Sequence, residues 1–286
     1  MAEAMDEGGL GDNIDAKGIF GKDKPPSVEA VLSGLVDSPD YCMDFPKRGK
    51  CYIFNHKNFE PQTGLNVRNG TDADATRLYC RFRELGFDVS LFTNLKSRDV
   101  LKELQKVAKE DHSKNSCFVC CVLSHGESGI LYGSDGKYET ERIFAPFRGD
   151  VCPTLTGKPK IFFIQACQGD KLDHGVSMKC QIATDSSSIQ EETYRIPTHA
   201  DFLIVYSTVS GFYSWRNTTN GSWFIQALCA ALQDHAKDMD LLGLLTIVNR
   251  KVAYDFESFT PQDNSMHLKK QVPCVTSTLT RNIKFS

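Results

Sequence analysis

Short apolar runs of strand length alternate with helical patterns along this chain, and this alternation constrains the fold more than any other feature. The apolar runs fall at 50–54, 87–92, 117–123, 159–164, 202–206 and 272–278. Helical patterns fill the intervals at about 71–85, from 97 onwards, and at about 222–237 and 240–254. Strands that alternate with helices favour a sheet with helices on both faces. We therefore predict one α/β fold, a three-layer α/β/α sandwich with a mainly parallel central sheet.

Helix start and stop signals support these boundaries. Asp72 and Asp74 would lie in the first turn of the helix at 71–85, and Gly86 would end it. Ser97 is predicted to cap the next helix. That helix has four apolar positions at helical spacing, Val100, Leu101, Leu104 and Val107.

Two segments lack apolar periodicity. Residues 1–45 are rich in Gly, Asp, Lys and Pro, and we expect them to be largely disordered. Residues 168–199 interrupt the fold with a long stretch that includes three consecutive serines at 186–188. A structureless stretch of this length inside a domain is usually functional or disordered, although a tolerated surface insertion is the alternative.

Composition excludes several classes of function. The 286 residues carry a formal net charge of −3, so there is no electrostatic case for binding nucleic acid or an anionic membrane. No apolar segment reaches the length that spans a bilayer, and we expect no secretory leader. The eleven cysteines then indicate buried thiols in a reducing, cytoplasmic compartment. Cys117 and Cys120 resemble a redox pair, but a strand would point them to opposite faces. No paired ligand spacing favours a zinc-binding module, and we expect no metal or cofactor.

Two apolar runs end in residues that can do chemistry. The run at 117–123 is followed by Ser124, His125 and Gly126, and the run at 159–164 is followed by Gln165-Ala-Cys167. Open α/β sheets place reactive groups at the carboxyl ends of strands. A thiol needs a base to become a nucleophile at neutral pH, and His125 is the best-placed candidate for Cys167. The backbone N–H groups of Cys167 and Gly126 would stabilise the oxyanion.

The segment 165–169, Gln-Ala-Cys-Gln-Gly, matches the signature around the nucleophile of caspases, with a histidine 42 residues upstream (167 − 125). From about residue 40 to the end, the chain resembles a caspase of the effector, or executioner, type. The resemblance implies a cysteine endopeptidase of apoptosis that cleaves after aspartate. It also implies a backbone carbonyl near Asn66 as the partner of His125. The alternative is a catalytically weak caspase-like regulator that acts through protein–protein contacts.

The resemblance also implies a substrate pocket. Arg68, Arg216 and Gln165 would bind the aspartate carboxylate, for which the planar fork of arginine is well suited. Read alone, each arginine would be an ordinary surface residue. The other implied substrate-binding residues are Ser124, Tyr213, Trp215, Asn217, Trp223 and Met266. A core position is the alternative for Trp223, and Met266 stands where effector caspases commonly carry an aromatic residue.

Caspases are made as zymogens, which implies processing sites here. We expect a leader at 1–45 trimmed after Asp15, a large subunit at 46–185 that ends at Asp185, and a small subunit at 186–286. An upstream initiator caspase would make the cut after Asp185. The resemblance further implies a homodimer of large and small subunit pairs that meet through the strand at 272–278. Inhibitor-of-apoptosis proteins are further possible partners.

Overall fold

The computed structural model of the protein describes residues 38–175 and 197–285. Its strands are β1 (Lys47–Asn55), β2 (Asp88–Thr93), β3 (Asn115–Leu123), β4 (Gly126–Glu127), β5 (Ile130–Tyr132), β6 (Lys137–Glu139), β7 (Lys160–Gln165), β8 (Phe202–Tyr206), β9 (Arg216–Asn217), β10 (Gly221–Ser222) and β11 (Cys274–Ser277). Its helices are α1 (Thr71–Glu84), α2 (Ser97–Ala108), α3 (Glu141–Phe144), α4 (Trp223–His235) and α5 (Leu241–Asp255).

Six of these strands form one sheet in the order β11-β8-β7-β3-β1-β2. All neighbouring pairs are parallel except β11, which runs antiparallel to β8 at one edge. The central strands β3 and β7 are buried along their whole length, which explains why their sequences are continuous apolar runs. The predicted mainly parallel sheet is confirmed.

Two hydrophobic cores lie on the two faces of this sheet. Helices α1, α4 and α5 cover one face, and α2 and α3 cover the other. Cys117 belongs to the first core and Cys120 to the second, as the period of two predicted. The three-layer α/β/α sandwich is therefore confirmed, and these two thiols pack as apolar groups on opposite faces.

The prediction that Ser97 caps α2 is wrong. Lys96 is the residue at the cap position, and Ser97 is the first residue of the helix. The Ser97 hydroxyl donates instead to the carbonyl of Gly136 at 2.6 Å, while Asp135 accepts the Ser97 backbone N–H at 2.7 Å. A carboxylate from a distant loop thus satisfies this helix end. That loop belongs to a small antiparallel sheet, β4-β5-β6, whose strands of two or three residues carry too little pattern to be predicted.

The ordered fold also begins earlier than expected. The sequence predicts a disordered leader that includes residues 38–45, but Tyr41 is only 5% exposed. Its hydroxyl donates to Asp201 at 2.7 Å, and its backbone N–H donates to the carbonyl of Asn282 at 2.9 Å. The expectation is therefore wrong for residues 38–45, because one aromatic side chain anchors them. The expected processing sites Asp15 and Asp185 lie outside the described residues.

Within the described ranges, no helix has both the length and the apolar character needed to cross a membrane.

Candidate active site

The parallel pairing of β3 with β7 brings the two predicted catalytic segments to one edge of the sheet. Leu123 lies opposite Gln165, so the residues that follow each strand leave the sheet side by side. The backbone at Gly126 approaches so closely that a Cβ there would lie 2.9 Å from the carbonyl oxygen of Cys167. Glycine is the residue that this approach allows. The structure thus places Gly126 against Cys167, as the sequence predicted.

His125 is fixed in one tautomer by its backbone partner. Its Nε2 lies 2.8 Å from the carbonyl oxygen of Asn66, which is the contact that the resemblance implied. A carbonyl only accepts, so Nε2 must carry the proton and Nδ1 keeps a lone pair. Burial, followed by the positive charges of Arg68 and Arg216, lowers the pKa of His125 to about 4. The imidazole is therefore neutral at physiological pH and able to accept a proton.

Cys167 is half-buried and contacts the loop that carries Arg216. Its Sγ lies 3.4 Å from the backbone N–H of Ser214, which donates to it, and 3.9 Å from the carbonyl oxygen of the same residue. Burial raises the pKa of the Cys167 thiol, while Ser214, Arg68 and Arg216 lower it to a lesser extent. The resting pair is thus a neutral thiol and a neutral imidazole.

Arg68 is a buried cation just before helix α1, with only 1% of its surface exposed. Its Nη1 donates to the carbonyl of His56 at 2.9 Å and to the hydroxyl of Thr71 at 2.8 Å. Burial, followed by the nearby Arg216, lowers the pKa of Arg68 to about 9. The guanidinium therefore remains charged at neutral pH although water is excluded from it.

Arg216 approaches Arg68 from the other half of the chain. Its Nε donates to the carbonyl of Asn69 at 2.8 Å, and burial lowers its pKa. The backbones of the two loops also touch, because a Cβ on Gly70 would lie 2.3 Å from the carbonyl oxygen of Asn217. Among the described residues, no carboxylate lies within 4.0 Å of either guanidinium. The buried Asp74 acts on both guanidiniums through its charge, but its oxygens accept hydrogen bonds from Ser222. Two partly or fully buried cations therefore share a site with no carboxylate in direct contact.

Gln165 supplies a further polar group beside Cys167. Its Nε2 donates to the Ser214 hydroxyl at 2.7 Å, whereas its buried Oε1 has no hydrogen-bond partner. A buried polar atom without a partner costs free energy and calls for an explanation. A bound ligand that donates a hydrogen bond to Gln165 Oε1 would explain it.

Aromatic rings stack next to the arginine loop. The Trp215 and Trp223 rings lie 5.7 Å apart, and Trp223 stacks on Phe256 at 5.5 Å. Trp223 is also 7% exposed and belongs to the core, so it is both a packing residue and part of this stack. Sequence reasoning missed Phe256, although its position directly after α5 was a usable signal. Met266 lies further along the same loop, where its carbonyl accepts the Ser258 hydroxyl at 2.6 Å.

Three other expected substrate-binding residues also lie around this edge of the sheet. Tyr213 is partly exposed, and its N–H donates to Lys171. The Ser124 hydroxyl donates to the carbonyl of Tyr132 at 2.5 Å, and the Asn217 Oδ1 accepts the N–H of Thr219 at 2.9 Å. The Ser124 N–H also donates to the carbonyl of Gln165 at 3.1 Å, and Asn217 pairs with Gly221 between β9 and β10, so both residues hold the loops of the site in place.

A thiol and an imidazole at adjacent strand ends are the groups that nucleophilic catalysis requires. On this α/β sandwich they define the class of the protein as a cysteine peptidase.

The comparisons with known proteins narrow that class. A family model described as the caspase domain matches residues 48–284. Caspase-3 from Mus musculus is 46% identical over 96% of this chain and 94% of its own length. Caspase drICE from Drosophila melanogaster is 48% identical over 86% of this chain and 72% of its own. The crystal structure of caspase-1 from Spodoptera frugiperda superposes with a TM-score of 0.84 at 47% identity, covering 90% of this chain and 97% of that one.

The chain belongs to the caspase family. It is a cysteine endopeptidase of the executioner, apoptotic type, like the relatives that it matches.

Proposed function

We propose that this caspase cleaves protein substrates after aspartate, with Cys167 as the nucleophile and His125 as the group that accepts and returns the proton. The observation that carries the proposal is the pair of guanidiniums, Arg68 and Arg216, without a carboxylate partner. Burying net positive charge destabilises a fold, and the single charge of Asp74 can balance only one of the two guanidiniums, so an external anion would complete the site. Gln165 supports the proposal, because its buried Oε1 has no hydrogen-bond partner and its Nε2 donates to Ser214, two residues before Arg216.

The neutral resting pair sets the order of the proton transfers. As Sγ of Cys167 attacks the carbonyl carbon of the aspartate residue, the thiol proton moves to His125 Nδ1. The oxyanion accepts hydrogen bonds from the N–H groups of Cys167 and Gly126, each worth on the order of 3 kcal/mol. His125 then protonates the leaving amine as the peptide bond breaks and a thioester remains. His125 finally deprotonates a water that attacks the thioester, which releases the aspartate-ended product and restores the thiol.

The aromatic stack supports binding sites for the residues that precede the aspartate. Tyr213 and Trp215 would wall the neighbouring subsite, and Met266 would fill its apolar side with a flexible thioether. Trp223 would contribute to the fourth subsite. Ser124 and Asn217 are further proposed substrate-binding residues.

We also propose activation by cleavage after Asp185 and trimming after Asp15 by an upstream initiator caspase. Residues 168–173 already pair with the Arg216 loop, since Gln168 donates to Phe212 at 3.0 Å and Tyr213 donates to Lys171 at 2.9 Å. The linker joins these two segments, so cutting it frees their ends to rearrange. The parallel β7–β8 pairing would then hold the 46–185 and 186–286 subunits together without a peptide bond.

A homodimer through β11 is supported by the position of that strand. It pairs with β8 on one side and ends the sheet on the other, and an edge strand is a template for pairing with another chain.

Inhibitor-of-apoptosis proteins are further proposed partners. The cytoplasmic location is supported by ten free cysteines among the described residues.

The test compares the wild type with Cys167→Ala and His125→Ala on fluorogenic tetrapeptides, after maturation by an initiator protease. Loss of turnover with unchanged melting temperatures supports the assigned pair, whereas turnover by the cysteine variant contradicts it. No turnover by the wild type would favour the alternative, a regulator that acts through protein contacts. In parallel, Asp185→Ala is expected to block maturation, and full activity in that variant would refute the assigned processing site.

A further inference from the structure

The single hydrogen bond of His125 does not by itself hold the ring in one orientation. The bond from Nε2 to Asn66 fixes one corner of the imidazole and leaves rotation about that corner open. The Phe59 ring restricts this rotation, because its centroid lies 4.9 Å from the centroid of the His125 ring, with the two planes tilted by 53°. This is the spacing of a favourable aromatic contact.

Phe59 is in turn supported by a second histidine. The His56 ring stacks on Phe59 with centroids 6.4 Å apart and planes within 28°. His56 is completely buried, and its Nε2 lies 3.0 Å from the carbonyl oxygen of Leu95, to which it donates. Burial lowers the pKa of His56 to about 4, so the ring is neutral and packs as a flat, uncharged plate.

The backbone around these two rings is also fixed. The N–H groups of Lys57 and Asn58 both donate to the Asn94 side chain, at 2.7 and 2.9 Å, and Glu60 N–H donates to Ser134 at 2.7 Å. The loop that carries Phe59 is therefore attached to two neighbouring loops. Phe59 cannot follow His125 if the imidazole turns.

His56 connects this support to the rest of the site. Its N–H donates at 2.9 Å to the carbonyl of Leu123, two residues before His125, and its own carbonyl accepts the Arg68 guanidinium at 2.9 Å. One residue thus contacts the strand end that carries the imidazole and the arginine proposed to bind aspartate.

We propose that Phe59 is a positioning residue for His125, and that His56 positions Phe59. This inference rests on the proposed role of His125 in proton transfer. Phe59 keeps the lone pair of His125 Nδ1 directed at the reacting atoms, and it excludes water from one face of the imidazole.

The test is Phe59→Leu, which keeps an apolar side chain at this position but removes the flat face and part of the volume. We expect kcat to fall about tenfold with KM within about twofold, since a misplaced proton acceptor slows chemistry rather than binding. Phe59→Tyr restores the ring and should recover most of kcat. The matched control is Phe92→Leu. Phe92 is another partly buried phenylalanine, lies on strand β2 and stacks on the Phe54 ring. It should leave kcat unchanged.

A pH profile separates positioning from a general loss of stability. Phe59→Leu exposes the imidazole to water, so the lowered pKa of His125 rises towards its ordinary value. Arg68 and Arg216, the charges that act on His125, stay in place. The acid limb of kcat/KM should therefore move to higher pH in Phe59→Leu and in His56→Leu, but not in Phe92→Leu.

An unchanged kcat and an unmoved acid limb in Phe59→Leu would overturn the inference, and so would an equal loss in Phe92→Leu. His125→Ala is measured in the same series. If His125→Ala keeps full activity, the proposed function itself fails. If His125→Ala is inactive while Phe59→Leu is unaffected, only the positioning role fails.

Discussion

Gly70 holds the two arginine loops at contact distance, and replacing it with alanine should damage the pocket without touching either arginine. Gly70 has a φ of 87°, and an added Cβ would lie 2.3 Å from the carbonyl oxygen of Asn217. Real contacts of this kind stay at or beyond 3.0 Å, so the loops must part by about 0.7 Å (3.0 − 2.3). A misplacement near 1 Å at a reacting site can cost about 100-fold in rate. We expect kcat/KM on an aspartate-ended tetrapeptide to fall about 30- to 100-fold, or about 2–2.7 kcal/mol.

Gly64→Ala is the matched control for Gly70→Ala. Gly64 has a φ of 67° and nothing within 4 Å of the position of a Cβ, so it adds the left-handed strain without the contact. That strain costs about 1 kcal/mol at either position. Both variants should lose some thermal stability, but Gly64→Ala should keep kcat/KM within about twofold. If the two variants lose the same activity, the contact between the loops is not what shapes the pocket.

Two further outcomes test other parts of the structure. Tyr41→Phe removes the hydroxyl that donates to Asp201 and accepts the N–H of Thr280, so it should lower the free energy of unfolding by about 1–3 kcal/mol in urea. The control is Tyr254→Phe, at a side chain that is 75% exposed, and it should leave the free energy of unfolding unchanged. If both variants lose the same free energy, the Tyr41 hydroxyl does not anchor residues 38–45. Separately, the pKa of His125 is lowered to about 4, so the imidazole stays neutral until the pH falls towards 4. The acid limb of kcat/KM should therefore lie well below pH 6.5, and a limb centred at 6.5 would contradict the neutral resting pair.

The sheet could be predicted from sequence because its central strands are buried on both faces. Strands β3 and β7 read as unbroken apolar runs, and parallel pairing then brings the residues after them together. That reasoning was enough to place His125, Gly126 and Cys167 at one edge of the sheet. The small β4-β5-β6 sheet was missed, since two or three residues carry no measurable periodicity.

Contacts between distant loops were beyond sequence reasoning. The Tyr41 hydroxyl reaches Asp201, 160 residues away, and Asp135 satisfies a helix end 38 residues earlier in the chain. The support of His125 by Phe59 depends on a loop path that no local pattern encodes. The meeting of Arg68 with Arg216 came from the resemblance to caspases, because each residue alone would be an ordinary surface arginine.

Arg68 and Arg216, neither of them in contact with a carboxylate, are proposed to select aspartate at the cleaved position. The most direct measurement is the ratio of kcat/KM between peptides that end in aspartate and in asparagine, for the wild type and for Arg68→Met. Asparagine has nearly the same shape but brings no negative charge to the two guanidiniums, so we expect a wild-type ratio of at least about 1,000. In Arg68→Met the ratio should collapse by at least about tenfold. A wild-type ratio below about ten, or an unchanged ratio in Arg68→Met, would contradict the account.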